Sequence, residues 1–164
     1  MRVVLDTNTL VSGTISANGP PRRLLNAAIE QAFEFCTSPT LLAELLDVLS
    51  RQKFSQRLSQ AGLSPELVVA DLRNIATLVI PINVPHVIQD DPDDDHVIAC
   101  AIAASADLIV SGDKHLHNLG GYYEGIRIVN AADAVKIIVS TLKSMENRQN
   151  ILTTGAKNQS LYAL

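Results

Sequence analysis

Acidic residues stand at four separate places in this chain where a protein could hold a divalent cation. Five of the six residues in 90–95 are aspartates, and this run opens an apolar segment, 96–106. Asp6 and Asp113 each follow a short apolar stretch, and Glu44 lies in a leucine-rich segment. Carboxylates at the entrance to a core are costly unless something cationic faces them. Their oxygens suit Mg²⁺ or Mn²⁺, and such an ion can activate water for phosphodiester hydrolysis.

The acidic run is expected to begin a buried helix, with Asp95 at the mouth of its apolar face. Asp93 or Asp94 could supply the N-cap, and Asp90 and Asp91 are most simply loop residues. The helix dipole favours each acid in the first turn by about 0.3–1 kcal/mol. That accounts for one or two acids and not five, so the excess repulsion indicates a bound cation.

Each of the other acids also has a simpler interpretation. Asp6 begins Asp-Thr-Asn, which is ordinary turn or cap material. Glu44 lies at the edge of an apolar helical stripe, where a boundary glutamate is common. Asp113 follows Gly112 and could belong to a turn. Each place alone is a weak signal, and only the four taken together predict a metal site. Ligands of open α/β sheets bind beyond the carboxyl ends of the strands, which is where Asp6 and Asp113 are expected to lie.

The elements that must position these acids alternate between strands and helices. Apolar runs predict strands at 2–6, 35–37, 77–82, 107–111 and 126–129. Helical spacing and Ser-Pro or Asn caps predict helices at 22–33, 38–50, 54–60, 64–76, about 93–106 and 131–143. Strands separated by helices indicate an α/β fold with a parallel sheet covered on both faces.

The composition limits the class of protein. Hydrophobic residues make up 47% and charged residues 18%, which is typical of a globular domain. We expect one domain at 1–146 and a polar extension at 147–164, partly ordered or ordered by a partner. No apolar run is long enough for a membrane span, no signal segment is evident, and Cys36 and Cys100 look like reduced core residues. A cytoplasmic location is therefore expected, with no membrane contact.

The charge balance argues against a general nucleic-acid binder but not against local contact. The formal net charge is −4. Five cations in the first third are candidates to hold an RNA backbone, although exposed surface charge is the simpler interpretation of each: Arg22, Arg23, Arg51, Lys53 and Arg57.

Four ordered motifs make the sequence resemble PIN-domain (PilT N-terminal) ribonucleases, of the kind that serve as VapC-like toxins in type II toxin–antitoxin pairs. The motifs are the apolar strand ending in Asp-Thr-Asn at 3–8, Glu44 in its leucine-rich helix, Asp95 opening an alanine-containing helix, and Ser-Gly-Asp at 111–113. The resemblance runs from residue 2 to about 138.

The resemblance implies a three-layer α/β/α sandwich with a central, mainly parallel, Rossmann-like sheet. It implies endonucleolytic cleavage of RNA with Mg²⁺ or Mn²⁺, a homodimer, and a small antitoxin that blocks the site. Carried over by position, Asp6, Glu44, Asp95 and Asp113 are the catalytic, metal-binding acids. Asn8, Ser111, Asp91 and Asp94 are possible supporting residues. In the third motif Asp91, Asp93 and Asp94 are near enough to substitute for Asp95 or assist it, and the Asp-Pro spacing makes Asp95 the best single choice.

Three other functions compete with this interpretation. A haloacid-dehalogenase-type phosphotransferase needs Asp-x-Asp after the first strand, and the second position here is Asn8. A receiver-like domain needs paired acids near the first strand and an Asp ending the third, and this sequence has neither. A PIN fold that serves as an interaction module with weak or no cleavage remains open.

Overall fold

The structure is a computed structural model that describes residues 1–89 and 91–160, with the backbone alone described for 152–160. Asp90, which we expected in a loop, and residues 161–164 of the expected extension lie outside the described residues.

A six-stranded sheet forms the centre of the fold, with helices on both faces. The strands are β1 (Arg2–Leu5), β2 (Glu34–Thr37), β3 (Thr77–Leu78), β4 (Leu108–Val110), β5 (Tyr122–Tyr123) and β6 (Ile126–Val129). The helices are α1 (Thr7–Ile15), α2 (Pro20–Ile29), α3 (Pro39–Ser50), α4 (Gln52–Gln60), α5 (Pro65–Ile75), α6 (Pro92–Ala103), α7 (Lys114–His117) and α8 (Ala131–Ser160).

The strand order is β3-β2-β1-β4-β6-β5, and the sheet is mainly parallel. Only β5 among these strands runs antiparallel, in a hairpin with β6. In the centre, Leu5 of β1 is in register with Val110 of β4. The carboxyl ends of these two parallel strands therefore lie side by side, which confirms the predicted mainly parallel α/β sandwich.

Alternating side chains of the central strands pack into two separate cores, one on each face of the sheet. Val3 and Leu5 face a core built with α1, α2, α3, α5 and α8. Val4 and Ile109 face the opposite core, which includes Val97 and Ile98 of α6. This period of two is the expected pattern for a strand buried on both faces. The sheet is thus anchored on both sides, and its carboxyl edge is held in a fixed place.

Several predicted elements were wrong in extent. The sequence did not predict α1, whose segment is rich in Thr, Ser and Gly, residues with lower helix propensity. The third strand ends at Leu78 rather than 82, because it lies at the sheet edge and the chain soon meets Pro81. The last helix continues to Ser160 rather than ending near 143, so the part of the extension expected to be irregular is helical as far as it is described.

Both cysteines are free and buried, as expected from their apolar surroundings. Burial is the main cause that raises the pKa of Cys100 to about 12. Among the described residues, we find no helix with both the length and the apolar character needed to cross a bilayer.

Candidate metal centre

Two acids are placed at the carboxyl edge of the sheet by the neighbouring strands β1 and β4. Asp6 directly follows β1, and its amide donates to the carbonyl of Val110 at 3.0 Å. Asp113 follows β4 and caps α7, where its Oδ1 accepts the amide of His115 at 2.7 Å. The parallel register therefore brings together two carboxylates that are 107 positions apart in the sequence (113 minus 6).

Asp6 is buried and fully engaged in hydrogen bonds. Its Oδ1 accepts the amide of Thr9 at 2.7 Å, which makes it the N-cap of α1. Its Oδ2 accepts the hydroxyl of Ser111 at 2.5 Å, and that hydroxyl also accepts the amide of Asp113 at 2.9 Å. Asp6 therefore has a defined orientation at the base of the site.

The first turn of α6 supplies two more acids. Asp91 caps this helix by accepting the amide of Asp93 at 3.2 Å, and Pro92 takes the first helical position. Asp94 follows one turn later on the same side of the helix. Carboxylate oxygens of Asp91, Asp94 and Asp113 all lie within 4.8 Å of one another. The cap is thus Asp91 rather than Asp93 or Asp94, and Asp91 belongs to the cluster rather than to a detached loop.

The position of Asp94 strongly disfavours its charged form. Burial is the main cause that raises its pKa from 3.8 to about 7. The negative charges of Asp113, Asp91 and Asp6 add to this rise, and the charge of His115 opposes it. A cation in the cluster would reverse the effect of these neighbours.

Glu44 of α3 faces the same group of charges. Burial is the main cause that raises the pKa of Glu44, and the hydroxyl of Thr7 opposes the rise. The charges of Asp93, Asp6 and Asp91 raise the pKa further. Glu44 is therefore close enough to sense the acids of β1 and α6, although it is not one of the three whose oxygens lie within 4.8 Å.

These residues fit a hard divalent cation. All the donors are carboxylate oxygens, the ligand type that Mg²⁺ and Mn²⁺ prefer. Oxygens that share one ion at about 2.1 Å lie no more than about 4.2 Å apart, so the cluster needs only small side-chain shifts to bind one. Oδ2 of Asp94 is buried without a hydrogen-bond partner in the described part of the chain. Such an atom is costly unless a ligand satisfies it.

Asp95 is not brought into this cluster. It is buried, with 2% of its surface exposed, and its Oδ1 accepts the amides of Val87 at 3.0 Å and Ile88 at 2.8 Å. The burial that the sequence predicts for Asp95 is present, but its hydrogen bonds point away from a ligand role. Asp94, which the sequence analysis ranks below Asp95 as a ligand, has the better position.

The remaining predicted residues lie at varied places. Asn8 is exposed in the first turn of α1. The guanidinium of Arg22 donates to the carbonyls of Ser16 at 2.8 Å and Thr14 at 3.1 Å, so it serves the end of α1. Arg23 is exposed beside α8 and lines a cavity there.

The other three cations lie at the end of α3 and on α4, and all are exposed. Arg51 pairs with Asp47 at 3.3 Å, and Lys53 lies 4.6 Å from the centre of the Phe54 ring. Both contacts are ordinary surface contacts that a nucleic acid could displace.

Two residues of the site were missed by sequence reasoning. Thr7 is buried beside Glu44, and it is the middle residue of the Asp-Thr-Asn motif. His117 pairs its Nε2 with the carbonyl of Ser111 at 2.6 Å and so braces the loop that carries Asp113. The Asp-Thr-Asn motif was a signal for the first, whereas only the structure reveals the second.

The parallel sheet and the acids at its carboxyl edge define an α/β protein with a candidate cation site. The family model described as "PIN domain" matches residues 2–115. The matched range is more than half of the chain and includes all of the acids discussed above. The chain belongs to the PIN domain family.

The proteins similar to this chain include one known from its sequence and one known from a crystal structure. The uncharacterized protein MJ1680 of Methanocaldococcus jannaschii is 28% identical over 130 residues, covering 79% of this chain and 82% of that protein. A chain in the crystal structure of VapBC2 from Rickettsia felis bound to a DNA fragment from their promoter is 17% identical, with a TM-score of 0.50. That likeness covers 79% of this chain and 98% of the other, and it supports the fold.

Proposed function

We propose that this protein is a metal-dependent endoribonuclease that hydrolyses RNA phosphodiester bonds with Mg²⁺ or Mn²⁺. The observation that carries the proposal is the approach of the Asp91, Asp94 and Asp113 oxygens to within 4.8 Å, at the carboxyl edge of a PIN-domain sheet. PIN domains are generally nucleases. All four motif positions carry acids in this chain: Asp6, Glu44, Asp95 and Asp113.

The acids of the site would have different roles in binding the ion. Asp91, Asp94 and Asp113 would hold the ion. Asp6, whose charge raises the pKa of Asp94, and Glu44, whose pKa is raised by Asp91, would bind a second ion or orient water. Ser111 fixes Asp6 through their 2.5 Å hydrogen bond. A bound ion would supply Lewis-acid stabilisation of the phosphate and a water of lowered pKa. We keep Asp95 out of this ligand set for the geometric reason given above.

Three further proposals concern partners and organisation. We propose a small antitoxin partner, supported by the motif resemblance and by the fold likeness to a chain from a VapBC2 structure. We propose a homodimer on the resemblance alone. We also propose that 1–146 is the nuclease domain and that 147–164 is a partner-binding extension, because α8 is exposed from 142 to 151.

The test of the nuclease proposal is cleavage of RNA by the purified chain, with and without Mn²⁺ or Mg²⁺. We expect metal-dependent endonucleolytic products from wild type and loss of at least about 100-fold of the activity in Asp94→Asn. Asp71→Asn is the matched control, because Asp71 is an exposed aspartate on α5.

Calorimetric titration of Mn²⁺ separates the nuclease from the alternative of a non-catalytic interaction module. A nuclease must bind the ion and lose that binding in Asp94→Asn but not in Asp71→Asn. If wild type binds no Mn²⁺ and cuts no RNA, the interaction module is the better assignment. The partner proposal is tested separately, by expressing the chain with candidate small proteins from the same genome and asking whether one of them forms an inactive complex with it.

A further inference from the structure

Asp95 is a buried carboxylate whose hydrogen-bond donors are backbone amides. Its Oδ1 accepts two hydrogen bonds, from Val87 at 3.0 Å and from Ile88 at 2.8 Å. Its Oδ2 lies 3.8 Å from Nδ1 of His86, whose side chain is 94% exposed. A carboxylate that is 2% exposed needs such partners to offset its loss of hydration. The side chain of Asp95 is therefore committed to the segment 86–88.

The segment 86–88 lies a few residues before the start of α6. Residues 79–89 contain no helix or strand, so few backbone hydrogen bonds of regular structure hold them. Ile88 is 6% exposed and belongs to the same core cluster as Val97 and Ile98 of α6. Three residues later, Asp91 caps the helix. Asp95 and the packing of Ile88 thus hold the end of an irregular segment against the helix that it is about to join.

The direction of the side chains separates Asp95 from the cluster. Successive residues of an α-helix are rotated by about 100°, since one turn takes 3.6 residues. Asp91 and Asp94 are three residues apart and share one side of the helix start. Asp95 is rotated away from that side toward the core and the segment 86–88. Asp94 therefore faces the acidic cluster, while Asp95 faces the segment 86–88 that leads into α6.

We propose that Asp95 is a positioning residue that holds the 86–88 segment, so that the Asp91 carboxylate reaches Asp94 and Asp113. The inference rests on the proposed metal site and assigns Asp95 a role distinct from that of a ligand. The ion contacts Asp91, Asp94 and Asp113, and Asp95 acts on it only through the amides of Val87 and Ile88.

The experiment compares Mn²⁺ binding by the full chain in four proteins: wild type, Asp94→Asn, Asp95→Asn and Asp95→Ala. An asparagine at 95 keeps an oxygen that can accept both amides, so we expect its Mn²⁺ affinity to stay within about 3-fold of wild type. Alanine removes the acceptor, and loss of such an outer partner lowers metal affinity by about 10–100-fold. Asp94→Asn removes a ligand and should lose more than Asp95→Ala does.

Hydrogen exchange of the metal-free wild type gives a readout that needs no variant. The amides of Val87 and Ile88 should be protected although they lie in an irregular segment, and Asp95→Asn should preserve that protection. Exchange at the rate of an open loop in wild type would overturn the proposal even if a variant failed to fold.

The binding results overturn the proposal in two ways. Asp95→Asn losing as much Mn²⁺ affinity as Asp94→Asn would make Asp95 a ligand. Asp95→Ala binding Mn²⁺ like wild type would remove its positioning role. A wild type that binds no Mn²⁺ would instead refute the proposed metal site, and this inference with it, so the two failures are distinguishable.

Discussion

The hydroxyl of Ser111 donates a 2.5 Å hydrogen bond to Oδ2 of Asp6, across the gap between two neighbouring parallel strands. The same oxygen accepts the amide of Asp113 at 2.9 Å. Ser111 is fully buried, so water does not compete for either bond. One hydroxyl therefore ties the acid that follows β1 to the backbone of the acid that follows β4.

Replacing Ser111 with alanine should loosen both acids at once. The lost hydrogen bond to a charged group predicts a decrease of about 1.5–3 kcal/mol in the free energy of unfolding. Because Asp113 loses its brace, Mn²⁺ affinity should fall about 10-fold or more. Denaturant unfolding and calorimetric titration measure the two effects. Ser111→Thr keeps the hydroxyl and is the control, and an alanine variant that binds Mn²⁺ like wild type would contradict the role given to Ser111.

The raised pKa of Asp94 predicts an unusual dependence of stability on pH in the metal-free protein. Between its ordinary value of 3.8 and its folded value of about 7, the folded state binds more protons at Asp94 than the unfolded state does. The free energy of unfolding contributed by this group therefore falls as pH rises through that window, and the loss is complete above the folded pKa. Asp94→Asn should consequently be more stable than wild type at pH 8 and about equal to it at pH 4.

Thermal unfolding without metal, repeated across this pH range, tests whether the stability contributed by Asp94 falls as the pH rises. The quantity to compare is the difference in Tm between Asp94→Asn and wild type, because other groups titrate in both proteins. Asp71→Asn, at an exposed position on α5, is the matched control. A difference that stays constant across the pH range for Asp94→Asn would mean that the Asp94 carboxyl ionises like an ordinary aspartate.

Gly112 leaves open space beside the acids, and we expect that space to admit the RNA backbone. A Cβ built on Gly112 meets nothing within 4 Å, and its φ lies outside the left-handed region that requires glycine. Gly112→Leu should therefore fold and bind Mn²⁺ like wild type while RNA cleavage falls by at least about 10-fold, since small misplacements at a reacting phosphate are costly. Cleavage kinetics and calorimetry on Gly112→Leu, with Gly112→Ala as the smaller step, decide this. Equal cleavage by all three proteins would place the substrate elsewhere.

The exposed part of α8 should be dispensable for folding. Side chains from 142 to 151 are exposed, including Ile151 at 70%, so they add little to the core. A chain ending at Glu146 should keep its Tm within about 3 °C of wild type, because surface changes rarely exceed about 0.5 kcal/mol. It should also keep Mn²⁺ binding while losing affinity for the proposed antitoxin. A truncated chain that fails to fold would show that 147–164 belongs to the domain.

The sequence was a good guide to acids that follow strands and a poorer one to acids on a helix. Asp6 and Asp113 could be found because parallel strands bring their carboxyl ends to one edge of the sheet. The resemblance assigns the ligand role to Asp95 rather than Asp94, and the helix phase that decides between them is not visible in the sequence, since a shift of one residue rotates a helical side chain by about 100°. That phase depends on which acid caps α6, and a run of five aspartates does not reveal it. In the structure Asp91 caps α6 and Asp95 accepts the amides of Val87 and Ile88, contacts between residues seven or eight positions apart that no local pattern encodes.

Arg22 is the predicted RNA contact whose structural role is most different from the expected one. Its guanidinium donates to the carbonyls of Ser16 and Thr14 at the end of α1, the helix that begins from Asp6. Carbonyls at a helix end lack partners within the helix, so Arg22 satisfies groups that its removal would leave unpaired. Arg22→Ala should lower the free energy of unfolding by about 1–3 kcal/mol.

The effect on RNA separates this structural role from a phosphate contact. Each phosphate contact that is lost should reduce the slope of log affinity against log salt by about 1. We expect that reduction in Arg57→Ala and no change of slope in Arg22→Ala, measured with metal-free protein and single-stranded RNA. Arg23→Ala is the matched control for stability, because Arg23 is the next residue, carries the same charge and is exposed. A reduced slope with unchanged stability in Arg22→Ala would return Arg22 to the RNA-binding surface, because only a bound phosphate could then account for its contribution.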